Sequence, residues 1–543
     1  MTLLAGFLDV LLRGFGAVGL SAAVGGLVYV LLVLRPGAGA LSAAARARAL
    51  TLIEAGALLV AGTTALLLLV VHPWALADEG GHWPLRAFLT TEFGLAGLGR
   101  VALALLLFGA ARWLRPGEDA AVRWAVALGA GALLMADGAW LAHAVSRLHG
   151  RASLMLGTAL HQLGAVLWVG GLVHLVAFAL LWRRAGGPSA EPLGARVLAR
   201  FSGVAIAGIA LVLGPGIYLS LSYIGGWGAL IGTGYGVMVL TKVALLGCAL
   251  GLGGLNFLLL RRRGGAEDRG AAVAARVPAL IEAELGIGVT LLLAAASLTS
   301  LPPSVDVVTD RATPAEVLAR FRPAMPRLSS PPVAELLAAA APIDDTLAPR
   351  QPEEYAWSEY NHHAAGLFVF LMGVLALVDQ AGRAAWSRWA RHWPLLFLGL
   401  AAFLFFRNDP RAWPLGPAGF WESMVLPDVL QHRMVVVLVV ALAVFEWMVR
   451  AGRLTRPGGR LVFPLLCATG GGLLLTHSHA MFNLKSEFLA EVSHAPMGLL
   501  GVIMAWGRWL ELRLPSADRR IPGWIWAAAL TVIGLILLVY RET

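Results

Sequence analysis

The sequence predicts an all-α polytopic integral membrane protein. Of its 543 residues, 58% are hydrophobic and only 14% are charged, whereas soluble domains carry about 25% charged residues. Apolar runs long enough to cross a bilayer, which requires about 20 residues, recur along the whole chain. The alternating segments of about 10 residues that typify a transmembrane barrel are not found in the sequence. The lipid bilayer is therefore the expected solvent of this chain.

The apolar runs predict about 14 transmembrane helices in two bundles, of about eight and about six helices. Connections rich in Arg occur at every second position along the chain. The positive-inside rule places these connections in the cytoplasm, which leaves both termini outside. The predicted spans are residues 10–34, 51–71, 93–114, 122–145, 154–182, 198–222, 235–260, 278–300, 362–379, 393–406, 433–450, 460–478, 495–512 and 523–540.

Composition divides the chain into three parts. Residues 1–300 form the first predicted bundle, and residues 358–543 form a second bundle that is rich in histidine. Between them, residues 301–357 are polar and rich in proline, as in "RPAMPRLSSPP", and are predicted to be an external, periplasmic linker. The stretches "PAEVLARF" and "PVAELLAAAA" within it predict short surface helices.

Several function classes are excluded by what the sequence lacks. The net charge of +10 is explained by cytoplasmic Arg, and without a long basic arm it does not indicate nucleic-acid binding. Cys248 and Cys467 lie far apart in apolar runs, so neither a disulfide framework nor a thiolate metal site is predicted. No phosphate-binding GxxxxGK[ST] loop is present, so any transport is passive or driven by an ion gradient. Neither GxSxG nor HExxH occurs, and we expect no enzymatic activity.

Histidines gather at the predicted outer ends of the helices in the second bundle. Imidazole is the commonest metal-ligating side chain and, together with the thioether of methionine, it suits Cu(I) or Cu(II). The alternative is a polar outer cap held by hydrogen bonds, without metal. The candidate metal ligands of this bundle are His362, His363, His432, His477, His479, His494 and Met481.

The first bundle carries polar residues inside its predicted spans, where charges are costly and usually face the bundle interior or a pathway. His161 and Trp168 lie seven residues apart, so two helical turns bring them onto nearly one face. We expect His143 and His161 to be outer metal ligands at the start of a transport path. The predicted path residues are Asp137, Trp168, His174, Lys242 and Glu284. The alternative is a buried Lys–Glu or Lys–Asp pair that only fixes packing.

Ordered blocks of the first half, "LHQLGAVLWVGGL", "RFSGVAIAGIALVLGPGIY", "GWGALIGTGYGVMVLTKVALLGCALGLGGLN" and "EAELGIGVTLLLAAASLTSLPP", resemble the CopD/PcoD copper-resistance membrane protein family. The resemblance covers residues ~1–305. It implies a bacterial inner-membrane bundle of about eight helices that handles copper with a periplasmic CopC-type partner. It also implies copper movement from the periplasm towards the cytoplasm. The residues of this sequence that correspond to residues typical of the family are His143, His161, Trp168, Lys242 and Glu284.

Three functions follow as hypotheses. The first is copper transport and copper resistance at the inner membrane, with outer His and Met sites that capture the ion. The second is electron transfer by a membrane protein with haem b, which paired histidines from two helices can ligate. The third is an assembly factor that delivers copper to a cuproenzyme without transporting it. The sequence leaves the direction of transport, the oxidation state of copper and the oligomeric state open.

Overall fold

The computed structural model describes residues 2–35, 39–77, 82–115, 121–141, 147–185, 193–261, 266–339, 351–382, 387–425, 427–477 and 485–542. Within these ranges the regular structure is helical and no strand is formed. In the described part of the chain, 13 helices are long and apolar enough to cross a membrane. The chain is therefore an all-α multi-pass membrane protein, as the sequence predicts.

The chain forms two compact units, one of residues 1–230 and 238–308 and one of residues 231–237 and 309–543. The helices of the first half are α1 (Thr2–Val28), α2 (Ala40–Leu66), α3 (His72–Ala75), α4 (Leu85–Leu89), α5 (Glu92–Trp113), α6 (Ala121–Trp140), α7 (Arg151–Ala165), α8 (Gly171–Arg184), α9 (Leu193–Ile224), α10 (Trp227–Ile231), α11 (Gly234–Arg261) and α12 (Ala266–Leu298). Those of the second half are α13 (Pro314–Arg320), α14 (Val333–Ala339), α15 (Pro352–Ala381), α16 (Ser387–Ala390), α17 (Leu396–Arg407), α18 (Pro427–Arg450), α19 (Pro457–Arg460), α20 (Val462–His477), α21 (Lys485–Glu491), α22 (His494–Arg513) and α23 (Arg520–Leu538).

The predicted spans have counterparts among these helices. Eight spans of the first bundle match the eight long apolar helices that end with α12. Of the six predicted for the second bundle, five match helices of spanning length. The sixth, predicted at 393–406, is the shorter apolar helix Trp393–Arg407, which falls below the usual length for a span. Helix α15 begins at Pro352, ten residues before the predicted start, because Pro352 occupies its first turn and a capping box closes it.

The core of the first unit is built on α1, which packs against α2 and against a π-helix of residues Val166–Gly170 between α7 and α8. A Cβ atom on Gly170 would lie 2.0 Å from the carbonyl oxygen of Ser21, and one on Gly25 would lie 2.4 Å from that of Val166. Only glycine permits backbones to approach this closely. The extra residue in each π-helical turn shifts the side chains that follow. Trp168 lies inside this π-helix, so its direction depends on it.

The proline-rich segment is divided between the two units, and its described part from residue 309 belongs to the second. The two short helices predicted in it are present as α13 and α14. Hydrogen bonds hold the segment against the helices of the second unit. The backbone N–H of Ala324 donates to the Val539 carbonyl (3.1 Å), and the Arg407 guanidinium donates to Ser330 Oγ (2.6 Å). These contacts fix residues 309–339 against the helices, so this part is not a free tether.

Candidate functional site

Glu284 of α12 is the centre of a buried polar group in the first unit. Its side chain accepts a hydrogen bond from the indole N–H of Trp168 (2.9 Å) and one from the amide of Asn256 on α11 (3.3 Å). The residue is only 6% exposed, and no cationic side chain of the described part of the chain pairs with it within 4 Å. A carboxylate inside a membrane bundle without a counter-charge is costly and usually marks a functional site.

His161 lies one turn before the π-helix that carries Trp168. Its Nδ1 lies 2.9 Å from the carbonyl oxygen of Val212 on α9. Because a carbonyl can only accept, Nδ1 carries the proton and the lone pair of Nε2 remains open. A backbone carbonyl bound to one ring nitrogen is the usual arrangement that orients a metal-ligating histidine.

His174 lies one turn after the π-helix and is 2% exposed. Its Nε2 lies 2.8 Å from the Ala22 carbonyl of α1, so here Nε2 carries the proton. Its Nδ1 is buried without a hydrogen-bond partner among the described residues. The ring stacks on Tyr29, with centroids 5.5 Å apart, and a Cβ on Gly26 would lie 2.4 Å from Nε2. The ring is therefore held rigidly with one bare nitrogen lone pair.

Asp137 and Lys242 do not form the buried pair that the sequence left open. Asp137 of α6 accepts instead from Arg100 of α5, at 3.0 Å, and both side chains are largely buried. Within the described residues Lys242 has no carboxylate within 4 Å, neither Asp137 nor Glu284. Asp137 therefore has its own counter-charge, whereas Glu284 has none among the residues that the structure describes.

In the second unit, two of the predicted ligands lie close together at one end of the helices. The rings of His362 on α15 and His494 on α22 have centroids 6.2 Å apart. The Nδ1 of His362 donates to the Ser358 carbonyl (2.8 Å), which leaves Nε2 as its bare nitrogen. The ring also stacks on Tyr540, with centroids 4.1 Å apart.

His363 differs from its neighbour, because both of its ring nitrogens are bound. Its Nδ1 accepts from the backbone N–H of Arg327 (2.7 Å), and its Nε2 donates to the Tyr540 carbonyl (2.8 Å). The residue is 2% exposed. In this arrangement His363 joins the proline-rich segment to the end of α23 and offers no lone pair to a metal.

Several predicted ligands cannot be placed. His143, His479 and Met481 lie outside the described residues, and His477 ends α20 without a described side chain. Among the side chains that the structure does describe, no three His, Cys, Asp or Glu residues are arranged to hold a metal ion.

His174 of the first unit is not arranged as an axial ligand of a haem. Axial ligation needs facing imidazoles with open nitrogens and room for a porphyrin. The Nε2 of His174 is bound to Ala22, and its ring is closely surrounded by Gly26 and Tyr29.

One constellation of the first unit was not predicted. Asp9 of α1 lies 2.9 Å from the Nε2 of His72 and accepts from Arg13 (2.7 Å) and from the hydroxyl of Ser300 (3.3 Å). The His72 ring packs on Phe93. The sequence contained one sign of this group, the acidic residue Asp9 in the first apolar run, because acids inside membrane helices are rare. Arg13 follows Asp9 by four residues.

Comparison with known proteins identifies the later part of the first unit. Residues 195–298 match the family model described as Copper resistance protein D, CopD. They form a CopD-family region, which confirms the resemblance there and includes Asn256 and Glu284. The Copper transport protein CutJ of Bacillus subtilis (strain 168) is 32% identical over 145 residues. The match covers 26% of this chain and 24% of that protein, so the chain spans about a quarter of the length of its relative. No solved structure matches the chain.

Proposed function

We propose that the chain is a copper transport and copper resistance protein of a bacterial inner membrane, with copper as its cargo. The observation that carries the proposal is Glu284. This buried carboxylate lies in the CopD-family region, and among the described residues its hydrogen-bond donors are the neutral groups of Trp168 and Asn256. A passing cation supplies the positive charge that the site lacks.

Two histidines extend this site along one helical run. His161 leaves Nε2 open, and His174 leaves Nδ1 open, because the carbonyls of Val212 and Ala22 hold opposite tautomers. The two residues are separated by 13 positions, which corresponds to about 20 Å along a helix. This length is about two-thirds of the hydrocarbon core of a bilayer. Copper would pass from His161 past Glu284 to His174. The ligands along this path are an imidazole nitrogen, a carboxylate and a second imidazole nitrogen.

The second unit supplies the outer capture site in this proposal. His362 and His494 lie close enough for one ion, bound at about 2 Å from a nitrogen of each, to join them. The positive-inside rule predicts that this end of the helices faces the periplasm. The donor is a periplasmic copper-binding protein of the CopC type, and the imidazole ligands accept Cu(I) or Cu(II).

Delivery to a cuproenzyme without transport is the second candidate. It is favoured by the position of the His362–His494 pair, which lies in the unit outside the CopD-family region. In that case the residues around Glu284 would have a structural role, and copper would bind only to the second unit.

Copper content of the purified full chain tests the site at Glu284. We expect Glu284→Gln to lose the copper bound at this site while the second unit keeps its copper, and Trp168→Phe to weaken copper binding at this site about 10- to 100-fold, as for other partners that orient a ligand. Trp506→Phe is the matched control, since its buried indole N–H has no partner among the described residues. Unchanged copper affinity in both Glu284→Gln and Trp168→Phe would contradict the proposal. A visible haem band in protein without copper would favour electron transfer instead.

A further inference from the structure

Asn256 of α11 is a buried amide beside Glu284 that has no ligand role in the copper path proposed above. Only 8% of the residue is exposed. Its Nδ2 donates to Glu284 Oε2 (3.3 Å), whereas its Oδ1 is buried without a hydrogen-bond partner among the described residues. Buried polar atoms are nearly always bonded to protein, water or an ion. The Oδ1 atom is therefore a candidate ligand atom next to the carboxylate.

Covalent geometry keeps this oxygen close to the carboxylate. The oxygen and nitrogen atoms of one amide group are about 2.2 Å apart. Because Nδ2 lies 3.3 Å from Glu284 Oε2, Oδ1 lies no more than about 5.5 Å from the same oxygen. A metal ion bound at about 2.0–2.6 Å from each of two oxygens joins atoms that are about 4–5 Å apart. A rotation of the Asn256 side chain is therefore enough to bring both oxygens onto one ion.

Gly253 leaves room for an ion between Glu284 and α11. It precedes Asn256 by three residues, about one helical turn, so the two residues lie on the same face of α11. A Cβ atom on Gly253 would lie 3.2 Å from Glu284 Oε1 and 3.6 Å from Oε2. The carboxyl group therefore lies directly against the α11 backbone, and the space that a side chain would fill borders both of its oxygens.

The ligand atoms at this position are oxygens, one pair from a carboxylate and one from an amide. The Trp168 indole, which also contacts Glu284, is a donor only. The thiol of Cys248 belongs to a residue eight positions before Asn256, about 12 Å away along α11. Soft sulfur ligands select Cu(I), whereas carboxylate and carbonyl oxygens suit harder cations. This ligand set therefore favours Cu(II) over Cu(I).

We propose that Asn256 Oδ1 and the Glu284 carboxylate together form a cation site that takes copper as Cu(II). The inference rests on the proposed function, in which copper is the cargo, and it adds a ligand and an oxidation state to that path. Binding of the ion replaces the hydrogen bond from Nδ2 to Glu284 by a bond from Oδ1 to the metal. Asn256 is then a ligand of the ion and not only a group that orients Glu284.

Two substitutions of Asn256 separate these two roles in the purified full chain. Asn256→Asp and Asn256→Leu both remove the N–H group that donates to Glu284, but only the aspartate keeps an oxygen in place of Oδ1. We expect Asn256→Asp to retain the Cu(II) bound at Glu284, and Asn256→Leu to weaken its affinity at least about tenfold. Equal loss in both variants would mean that the N–H group matters, and wild-type affinity in Asn256→Leu would mean that neither group does. Either result would overturn the proposal.

Glu284→Gln distinguishes failure of this inference from failure of the proposed function. The copper at the site is the copper that this variant loses, measured by elemental analysis. If Glu284→Gln loses copper and Asn256→Leu does not, the proposed function stands and Asn256 is not a ligand. If Glu284→Gln loses no copper, both proposals fail.

Electron paramagnetic resonance tests the oxidation state, because Cu(II) gives a signal and Cu(I) does not. After loading with Cu(II), we expect the wild type to show a component that both Glu284→Gln and Asn256→Leu lack. After loading with Cu(I) under a reductant, the wild type should bind no more copper than Glu284→Gln. Tighter binding of Cu(I) than of Cu(II) at Glu284 would overturn the assignment of Cu(II).

A pair of glycine substitutions tests the placement of the ion without changing a polar group. Gly253→Ala adds a methyl group beside the carboxylate, and we expect it to weaken Cu(II) binding at Glu284. Gly254→Ala is the matched control, since a Cβ atom there would meet nothing within 4 Å, and it should bind Cu(II) as the wild type does. Equal affinities in the two variants would overturn the placement of the ion against α11, even if Asn256→Asp failed to fold.

Discussion

The close approach of α1 to the π-helix before α8 predicts how much stability is lost when a methyl group is added there. In Gly170→Ala, the new Cβ would lie 2.0 Å from the Ser21 carbonyl oxygen and 3.0 Å from the Cα of Gly25. Both are backbone atoms, which cannot rotate away as a side chain can. The two backbones must separate, and Trp168, two residues before the substitution, moves with them.

The matched control is Gly203→Ala on α9, where a Cβ would meet nothing within 4 Å. Replacing glycine by alanine within a helix stabilises by about 1 kcal/mol, and this gain is common to both variants. The difference between them therefore isolates the cost of overpacking, which is about 1–3 kcal/mol. We expect about 3 kcal/mol, because the clash is with backbone.

The free energy of unfolding in mixed micelles measures this difference. We expect Gly203→Ala to be at least as stable as the wild type and Gly170→Ala to be clearly less stable. If both variants unfolded at the same denaturant concentration, α1 and the π-helix would not pack as described, and the placement of Trp168 against Glu284 would lose its support.

Two further predictions concern the second unit. His363→Ala should lower the free energy of unfolding by about 1–3 kcal/mol for each buried backbone group left unpaired, without changing copper content, whereas His362→Ala should lower copper content. Copper lost equally in both variants would refute this division of roles. The ion pair with Lys485 and the Thr313 cap lower the pKa of Glu316 from 4.5 to about 2. Because the folded-state pKa is depressed, the contribution of Glu316 to α13 is present above pH 4.5 and is lost as the pH falls towards 2. Hydrogen exchange of residues 314–320 should therefore differ between wild type and Glu316→Gln at neutral pH and become equal near pH 2; a difference that persists there would contradict the role of the carboxylate.

The sequence was sufficient for the membrane architecture because the apolar runs themselves determine which segments span. The sequence predicted the 393–406 span less well, because the helix there is apolar but short. The capped helix α13 was also predictable, since its capping box is a local pattern of Thr313 and Glu316.

The partners within the candidate site were not predictable, because they join distant parts of the chain. Trp168 and Glu284 are 116 residues apart, and no local pattern links them. Asp137, a predicted path residue, pairs with Arg100, and this pair depends on α5 and α6 being neighbours. The π-helix that carries Trp168 has no sequence signature that we recognised.

Histidine position alone also failed to separate the roles of His362 and His363. Both begin the same predicted span, but their partners differ because consecutive residues of a helix point about 100° apart. One ring faces His494 and Tyr540, and the other faces the backbone of the proline-rich segment.

Copper uptake into proteoliposomes that contain the full chain tests the central claim most directly. The comparison is between the wild type, Glu284→Gln and the control Glu282→Gln, which changes a second buried acid two residues away on the same helix. Residues two apart on a helix point in different directions, so the control should leave the site intact. We predict uptake by the wild type and by Glu282→Gln, and at least about a tenfold loss in Glu284→Gln. Equal uptake by the wild type and Glu284→Gln, or no uptake by a wild type that binds copper, would contradict transport through the first unit.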